Sequence, residues 1–317
     1  MPEPLLELKN ISVKFHLRRG QLTAVDDLSL TVNRGEILGL VGESGAGKSI
    51  TGLAIMGLLD HPGRLESGEV WLSGERIDQR PERVRGSAIS MIFQDPLTSL
   101  NPLRTIGDQL VETILRHSSL TVAQAKERAR ESLRDVGIDP DRFDAYPHAF
   151  SGGMRQRVVI ALALSTDPKL IIADEPTTAL DVSVQAQILE LLKTLCARRN
   201  AAVILITHDM GVIAETTDRV AVMYAGRLVE IGQTNEVLIA AEHPYTRGLM
   251  ASTPVIDVAA RDKPLHQIPG AMPKLDALPT GCAFHPRCEF AEHRCHLESP
   301  PQFNNRVACW RAEGEAS

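Results

Sequence analysis

The sequence predicts an α/β protein with a parallel core sheet, a smaller antiparallel β region before it and a loop-rich tail after it. Three observations carry this reading. Glu36-Ile37-Leu38-Gly39-Leu40-Val41 is almost continuously apolar, as a strand buried on both faces must be, and it passes through a glycine-rich turn into a helical pattern from Lys48 to about Leu59. Leu170-Ile171-Ile172-Ala173 and Val203-Ile204-Leu205-Ile206 are two further apolar strands with a helix over Val184 to Arg199 between them, the pattern of a parallel βαβ unit. Beyond about Ala240 periodicity fades, and Pro264, Pro269, Pro273, Pro279, Pro286, Pro300 and Pro301 disfavour long regular elements.

From the N-terminus, Leu6-Glu7-Leu8, Ile11 to Phe15 and Leu28 to Val32 alternate polar and apolar residues, the pattern of a half-buried sheet, with His16 to Thr23 expected as a longer loop. From about Pro96 the character turns helical. Pro102 to His117 and Val122 to Val136 carry helical spacing with mixed charge, and Gly137-Ile138-Asp139-Pro140 interrupts it. Val158 to Leu164 is apolar throughout and suits a buried helix. These segments divide the chain into a core over 1–240, with a helical subdomain at about 96–160, and a small module over 241–317.

Composition narrows the partners. The 317 residues include 43% hydrophobic and 23% charged side chains, ordinary for a globular protein. A net charge of -6 with scattered basic residues argues against a nucleic-acid partner. Met1 to Asn10 lacks the basic-then-apolar pattern of a secretory signal, and no stretch approaches the ~20 apolar residues that span a bilayer. Membrane association is therefore expected to come through a partner.

Gly42-Glu43-Ser44-Gly45-Ala46-Gly47-Lys48-Ser49 fits G-x-x-x-x-G-K-S between a buried strand and a helix. Glycines let the backbone curl so that successive N–H groups face a phosphate. Lys48 supplies a cation for the β- and γ-phosphates, Ser49 is placed to ligand Mg²⁺, and the helix running on through Ile50 adds its positive end. Such a site needs an acid for the metal and a base for water. Asp174 and Glu175, at the end of the strand from Leu170, offer both: Asp174 for Mg²⁺, Glu175 to orient and polarise the attacking water. Alone, two acids after a strand would read as a solvated turn or a helix cap.

Phe150-Ser151-Gly152-Gly153-Met154-Arg155-Gln156-Arg157 opens another helix about twenty residues earlier, with Ser151 as a good N-cap. It resembles the signature motif of ABC ATPases, usually written LSGGQ, with Phe150 and Met154 replacing its first and last residues. The Ser-Gly-Gly centre is intact, and the variant resembles the peptide-importer branch. Further elements match the family in order: Gln94 in Phe93-Gln94-Asp95-Pro96 for the loop that senses Mg²⁺ and the γ-phosphate, Ala179-Leu180-Asp181 for the loop between subunits, and His208 for the switch histidine. The match covers about residues 5 to 240 and implies an ABC-type P-loop ATPase core. Phe15 is the candidate to stack on adenine, with a plain core role as the other reading.

The resemblance implies that Lys48, Ser49, Asp174, Glu175, Gln94 and His208 act on the chain's own ATP, while Ser151, Gly152 and Gly153 act in trans on that of a second ATPase chain. The family usually pairs two different ATPase chains. It implies two transmembrane permease subunits, an extracytoplasmic solute-binding protein, and a peripheral place on the cytoplasmic face of the inner membrane. Peptide-importer relatives also handle nickel, glutathione, opines and sugars. Soluble ABC proteins that act on ribosomes or DNA usually carry two cassettes, a coiled-coil insertion or basic arms, none of which is seen here; a module that only binds nucleotide is disfavoured by Glu175 and His208.

Four of the five cysteines, Cys282, Cys288, Cys295 and Cys309, cluster near the C-terminus. In a reducing compartment such clustering points to a metal before disulfides. Four thiolates suit zinc or an iron–sulfur cluster, and the spacings, longer than C-x-x-C pairs, tilt towards a cluster; ordinary buried thiols are the third reading. Cys196, inside the helix from Val184, reads as a packing residue. His243 to Leu249 and Gly281 to Cys288 resemble the C-terminal extension of oligopeptide and dipeptide importer ATPases, some of which carry a [4Fe–4S] cluster on these cysteines. His285 and His293 are expected to support loops.

Overall fold

A computed structural model describes residues 3–18, 20–178, 180–252 and 267–313. Ala179 and Pro264, and with them part of the loop before Asp181 and of the 241–317 module, lie outside the described residues. The chain opens with strands β1 (Leu6–Leu17), β2 (Gly20–Val32) and β3 (Ile37–Val41), then helix α1 (Lys48–Met56) and strands β4 (Gly63–Leu72), β5 (Glu75–Arg76) and β6 (Ile89–Ile92). Helices α2 (Pro96–Ser99), α3 (Ile106–His117), α4 (Val122–Asp135) and α5 (Gly152–Leu164) follow. Then come β7 (Leu170–Asp174), α6 (Val182–Arg199), β8 (Ala202–Ile206), α7 (Met210–Thr216), β9 (Arg219–Tyr224) and β10 (Arg227–Gln233). Helices α8 (Thr234–Ala240), α9 (Pro244–Ser252) and the short α10 (His293–Leu297) lie in the C-terminal part.

Two compact units are woven from these segments: Met1–Leu6, Val32–Ile37 and Leu72–Leu205 in the first, Glu7–Thr31, Leu38–Trp71 and Ile206–Ser317 in the second. In the first unit the strand order is β8-β7-β6, with β6 and β7 parallel from Ile89↔Leu170 to Ile92↔Ala173. Every residue of β7 and β8 is buried, the outcome their continuous apolar runs demand. The helices begin where side chains satisfy their first N–H groups. Thr105 accepts from the Asp108 N–H (3.1 Å), so α3 starts at Ile106 and not at Pro102. The stretch before it is a turn, held by the Gln109 side chain against the Asn101 N–H (2.9 Å). Thr121 and Gln124 form a reciprocal capping box at the start of α4. Val158 to Leu164 of α5 is almost wholly buried, as its composition requires. Arg128 and Arg199 both grip Asp167 (2.7 and 3.0 Å), and Arg199 also reaches Asp135 (2.6 Å), tying α4 and α6 to the turn between α5 and β7.

In the second unit the order is β10-β9-β3; β9 is parallel to β3 from Leu38↔Arg219 to Val41↔Val222 and antiparallel to β10. The N-terminal sheet orders its strands β2-β1-β4. Leu6-Glu7-Leu8 and Ile11 to Phe15 are one strand that continues to Leu17, and β2 begins at Gly20, so most of the expected loop over His16 to Thr23 belongs to strands. Contacts to the segment that enters β4 extend the strand: the His16 N–H donates to the Pro62 carbonyl (3.2 Å) and its ring meets Glu66 (3.0 Å). Helix α1 also stops early, at Met56, because Gly57 takes a left-handed cap whose N–H bonds the Ala54 carbonyl (3.1 Å). Among the described residues from 267 on, α10 is joined by short 3-10 turns and isolated β-bridges, in keeping with the prolines, whereas α9 uses Pro244 as its first residue, a position proline tolerates.

Candidate functional site

The loop Gly42 to Ser49 joins β3 to α1 within the second unit. Gly47 caps α1 at φ 100°, and a Cβ there would sit 2.6 Å from the Ala24 carbonyl oxygen; both facts require glycine. Lys48 is only 6% exposed, and its ammonium is folded back over the loop, donating to the carbonyls of Gly42 (2.8 Å) and Glu43 (3.0 Å). That places a buried cation inside the curl of backbone. Ser44, Gly45 and Ser49 are exposed, Ala46 is buried and Ile50 half-buried on the helix. Phe15 is on β1 in the same unit, half-buried, with its ring edge where a Cβ on Gly63 would clash (2.8 Å). His208 is exposed just past β8, beside Thr207, whose N–H bonds the Leu40 carbonyl (3.3 Å).

In the first unit Asp174 ends β7, 8% exposed. Glu175 follows with φ 45°, a left-handed conformation rare for a residue with a side chain. Its carboxylate accepts from Gln94 Nε2 (3.0 Å) and Thr178 Oγ1 (2.8 Å). The fold thus brings Gln94 to Glu175 from 81 residues away; Gln94 itself is exposed just past β6. Thr178 was not singled out by the sequence reading, though its place three residues after Glu175 on a turn is a usable signal. Ser151 caps α5 and accepts from the Met154 N–H (3.4 Å). Gly153 packs so closely that a Cβ would meet Val184 Cγ1 at 2.7 Å. Phe150, the departure from the usual leucine, is buried with the Arg142 guanidinium 4.4 Å above its ring. Asp181 stands at the cap position of α6 but makes no side-chain capping bond.

The four clustered cysteines are free thiols, as is buried Cys196, whose pKa burial pushes up to about 12. Cys282, Cys288, Cys295 and Cys309 line one small cavity together with His243 and Phe284. Burial pushes the Cys282 thiol up to about 11 and raises those of Cys288 and Cys309. No three His, Cys, Asp or Glu side chains among the described residues converge closely enough to hold a metal ion. His243 is fully buried, its pKa pushed down to about 3; Nδ1 accepts from the Tyr245 N–H (3.0 Å), while Nε2 has no hydrogen-bond partner among the described residues. Four sulfur atoms and an imidazole nitrogen without a hydrogen-bond partner among the described residues thus surround one cavity. His285 bonds the Cys282 carbonyl through Nδ1 (2.9 Å), a loop-supporting role.

A glycine-rich loop between a buried parallel strand and a helix, with its lysine folded onto the loop's own carbonyls, defines a P-loop nucleotide-binding protein. The family model for ABC transporters matches residues 25–178, and that for the oligopeptide/dipeptide transporter C-terminal region matches residues 229–295. The chain is 45% identical to an oligopeptide transport ATP-binding protein of Bacillus subtilis, covering 99% of this chain and 98% of that one. It is 46% identical to the dipeptide transport ATP-binding protein of Escherichia coli, with 93% and 92% covered. Among solved structures, a dimeric ATP-binding cassette in a post-hydrolysis state bound to ADP and Pi matches with a TM-score of 0.64 at 28% identity, over 72% of this chain and 98% of that one. The chain belongs to the ABC transporter family: it is an ABC-type ATPase, the ATP-binding subunit of a transporter. No helix among the described residues is long and apolar enough to cross a membrane.

Proposed function

We propose that this chain hydrolyses ATP to power the import of di- and oligopeptides, working peripherally on the cytoplasmic face of the inner membrane. The observation that carries the solute class is the match of residues 229–295 to the C-terminal region of oligopeptide/dipeptide transporters, in company with relatives named for the same cargo. Its partners are two transmembrane permease subunits, an extracytoplasmic solute-binding protein, and a second ATPase chain that is related but different. Exposed Phe93, Leu97 and Leu103, close in sequence to Gln94, support a permease-facing role for that segment.

The loop from Gly42 to Ile50 holds the triphosphate, with Lys48 on the β- and γ-oxygens and Phe15 towards the adenine. Ser49, Asp174 and Gln94 offer the hard oxygen donors that Mg²⁺ prefers, and the ion would screen the charge of the phosphates. Glu175 orients and polarises water, His208 and Gln94 respond to the γ-phosphate, and Ser151, Gly152 and Gly153 present backbone N–H groups to the second chain's ATP, with Asp181 at the junction. Catalysis on this arrangement is positioning and charge stabilisation without a covalent intermediate.

The test is to assemble the complex in proteoliposomes and compare ATP turnover with di- and oligopeptides, nickel, glutathione, an opine and a sugar, each with the solute-binding protein. Stimulation by peptides alone is expected. Stimulation by one of the others reassigns the solute, and a chain that never associates with permeases overturns the transport reading.

Cys282, Cys288, Cys295 and Cys309 would hold a [4Fe–4S] cluster, which would cross-link the C-terminal loops; the four thiols lining one cavity and their spacing, longer than that of C-x-x-C pairs, support this reading over zinc. Anaerobically purified protein is expected to contain about four iron and four acid-labile sulfide per chain. About one zinc per chain would favour the single-ion reading, and no metal would leave the cysteines as plain packing thiols.

A further inference from the structure

Glu43, the first variable residue of the phosphate loop, is gripped from three sides within the second unit. Its carboxylate receives both arms of the Arg287 guanidinium, Nη1 to Oε2 at 2.6 Å and Nη2 to Oε1 at 3.0 Å, across 244 residues of sequence. The Arg287 side chain is 5% exposed and that of Glu43 30%, so the pair is shielded, unlike an ordinary surface ion pair. The Glu43 N–H donates to Tyr245 Oη (2.8 Å). Its carbonyl accepts from Lys48 Nζ (3.0 Å).

The gripping groups are themselves fixed. Arg287 Nε donates to the Pro269 carbonyl (2.8 Å), and Nη1 also reaches Tyr224 Oη (3.3 Å). Tyr224, Tyr245 and Phe284 pack in a mutual cluster with ring centroids 4.6 to 5.4 Å apart, and the guanidinium lies 5.8 and 5.9 Å from the Tyr224 and Phe284 rings. At the loop's tip, Met272 Sδ would be 3.9 Å from a Cβ on Gly45. Nothing in the motif itself requires these contacts, since Glu43 occupies a position where the pattern allows any residue.

We infer that the C-terminal region braces the phosphate loop through Glu43, with Arg287 and Tyr245 as positioning residues for ATP binding. This rests on the reading of Gly42 to Ser49 as the loop that binds the triphosphate. The brace does two things. It holds the loop in its curled form before nucleotide arrives, so that less ordering is required on binding. It also pairs a carboxylate that would otherwise stand unneutralised next to the phosphates. Arg287 precedes Cys288 in the chain, so the segment that grips the loop is continuous with the one that carries the cysteines.

The test is calorimetric ATP titration of the full chain for Arg287→Met, Glu43→Gln and the double variant, with thermal melts alongside. Arg287→Met is expected to weaken ATP binding about tenfold, because it leaves the Glu43 carboxylate unpaired. Adding Glu43→Gln is expected to recover part of that loss, which a merely structural role for Arg287 would not allow. Should Arg287→Met fail to fold, Arg287→Lys, which keeps the charge but not the fork, takes its place with a smaller loss in the same direction. Wild-type affinity in folded Arg287 variants, or losses that simply add in the double variant, would overturn the brace. Lys48→Ala run in parallel separates the two readings: if it binds ATP normally the phosphate-loop reading fails, and if it alone loses ATP only the brace fails.

Discussion

Glu175→Gln is expected to lower the ATP turnover of the assembled complex by about a hundredfold to a thousandfold while ATP binding persists. The expected size follows from removing a positioned general base, which contributes roughly 10²–10⁴. Glutamine preserves the shape of the side chain but not its negative charge, so water can still be held and no longer polarised. The site is built to hold this residue in one pose. A side-chain-bearing residue at φ 45° stores strain of about 1–3 kcal/mol, and bonds from Gln94 and Thr178 to its carboxylate fix the direction in which it points. Turnover of wild-type and variant complexes, measured with ATP binding under the same conditions, checks the assignment. Equal turnover in the two would remove Glu175 from the base role.

Lys48→Ala is expected to weaken ATP binding by about a hundredfold, the loss of roughly two charge-assisted contacts to phosphate. Lys48 is buried and already collected onto the carbonyls of Gly42 and Glu43, so the ammonium is held at the loop before nucleotide arrives. Alanine is a good helix former at the first position of α1, which keeps the fold and isolates the charge. Titration with a fluorescent ATP analogue, with the melting temperature as a control, reads the effect; an unchanged affinity would mean that the lysine serves the loop's structure and not the nucleotide.

Much of the nucleotide machinery was legible because its signals are local. A strand–turn–helix with glycines and a lysine, an N-cap serine before two glycines, and two acids after an apolar strand are read within a dozen residues, and β3, β7, β8, α1, α5 and α6 all formed around them. Strands β4, β6, β9 and β10 escaped notice because their pairing is specified by neighbours distant in sequence. Val220 to Tyr224, for example, is a strand by virtue of lying between β3 and β10. The strand residues found where a loop over His16 to Thr23 was expected have the same origin, with His16 held by contacts to Pro62 and Glu66, more than 40 residues away.

The class of protein, the glycine-rich loop, the two acids that end β7 and the cysteine group could all be read from the sequence, since each depends on residue types at short, fixed spacings. What Gln94 touches, the cavity that the four cysteines share with His243, and the closing of Arg287 and Tyr245 on Glu43 across more than 200 residues came only from the three-dimensional fold. The physical reason is that a hydrogen bond or an ion pair depends on separation in space, and for residues so far apart along the chain that separation is set by the packing of sheets and aromatic rings between them.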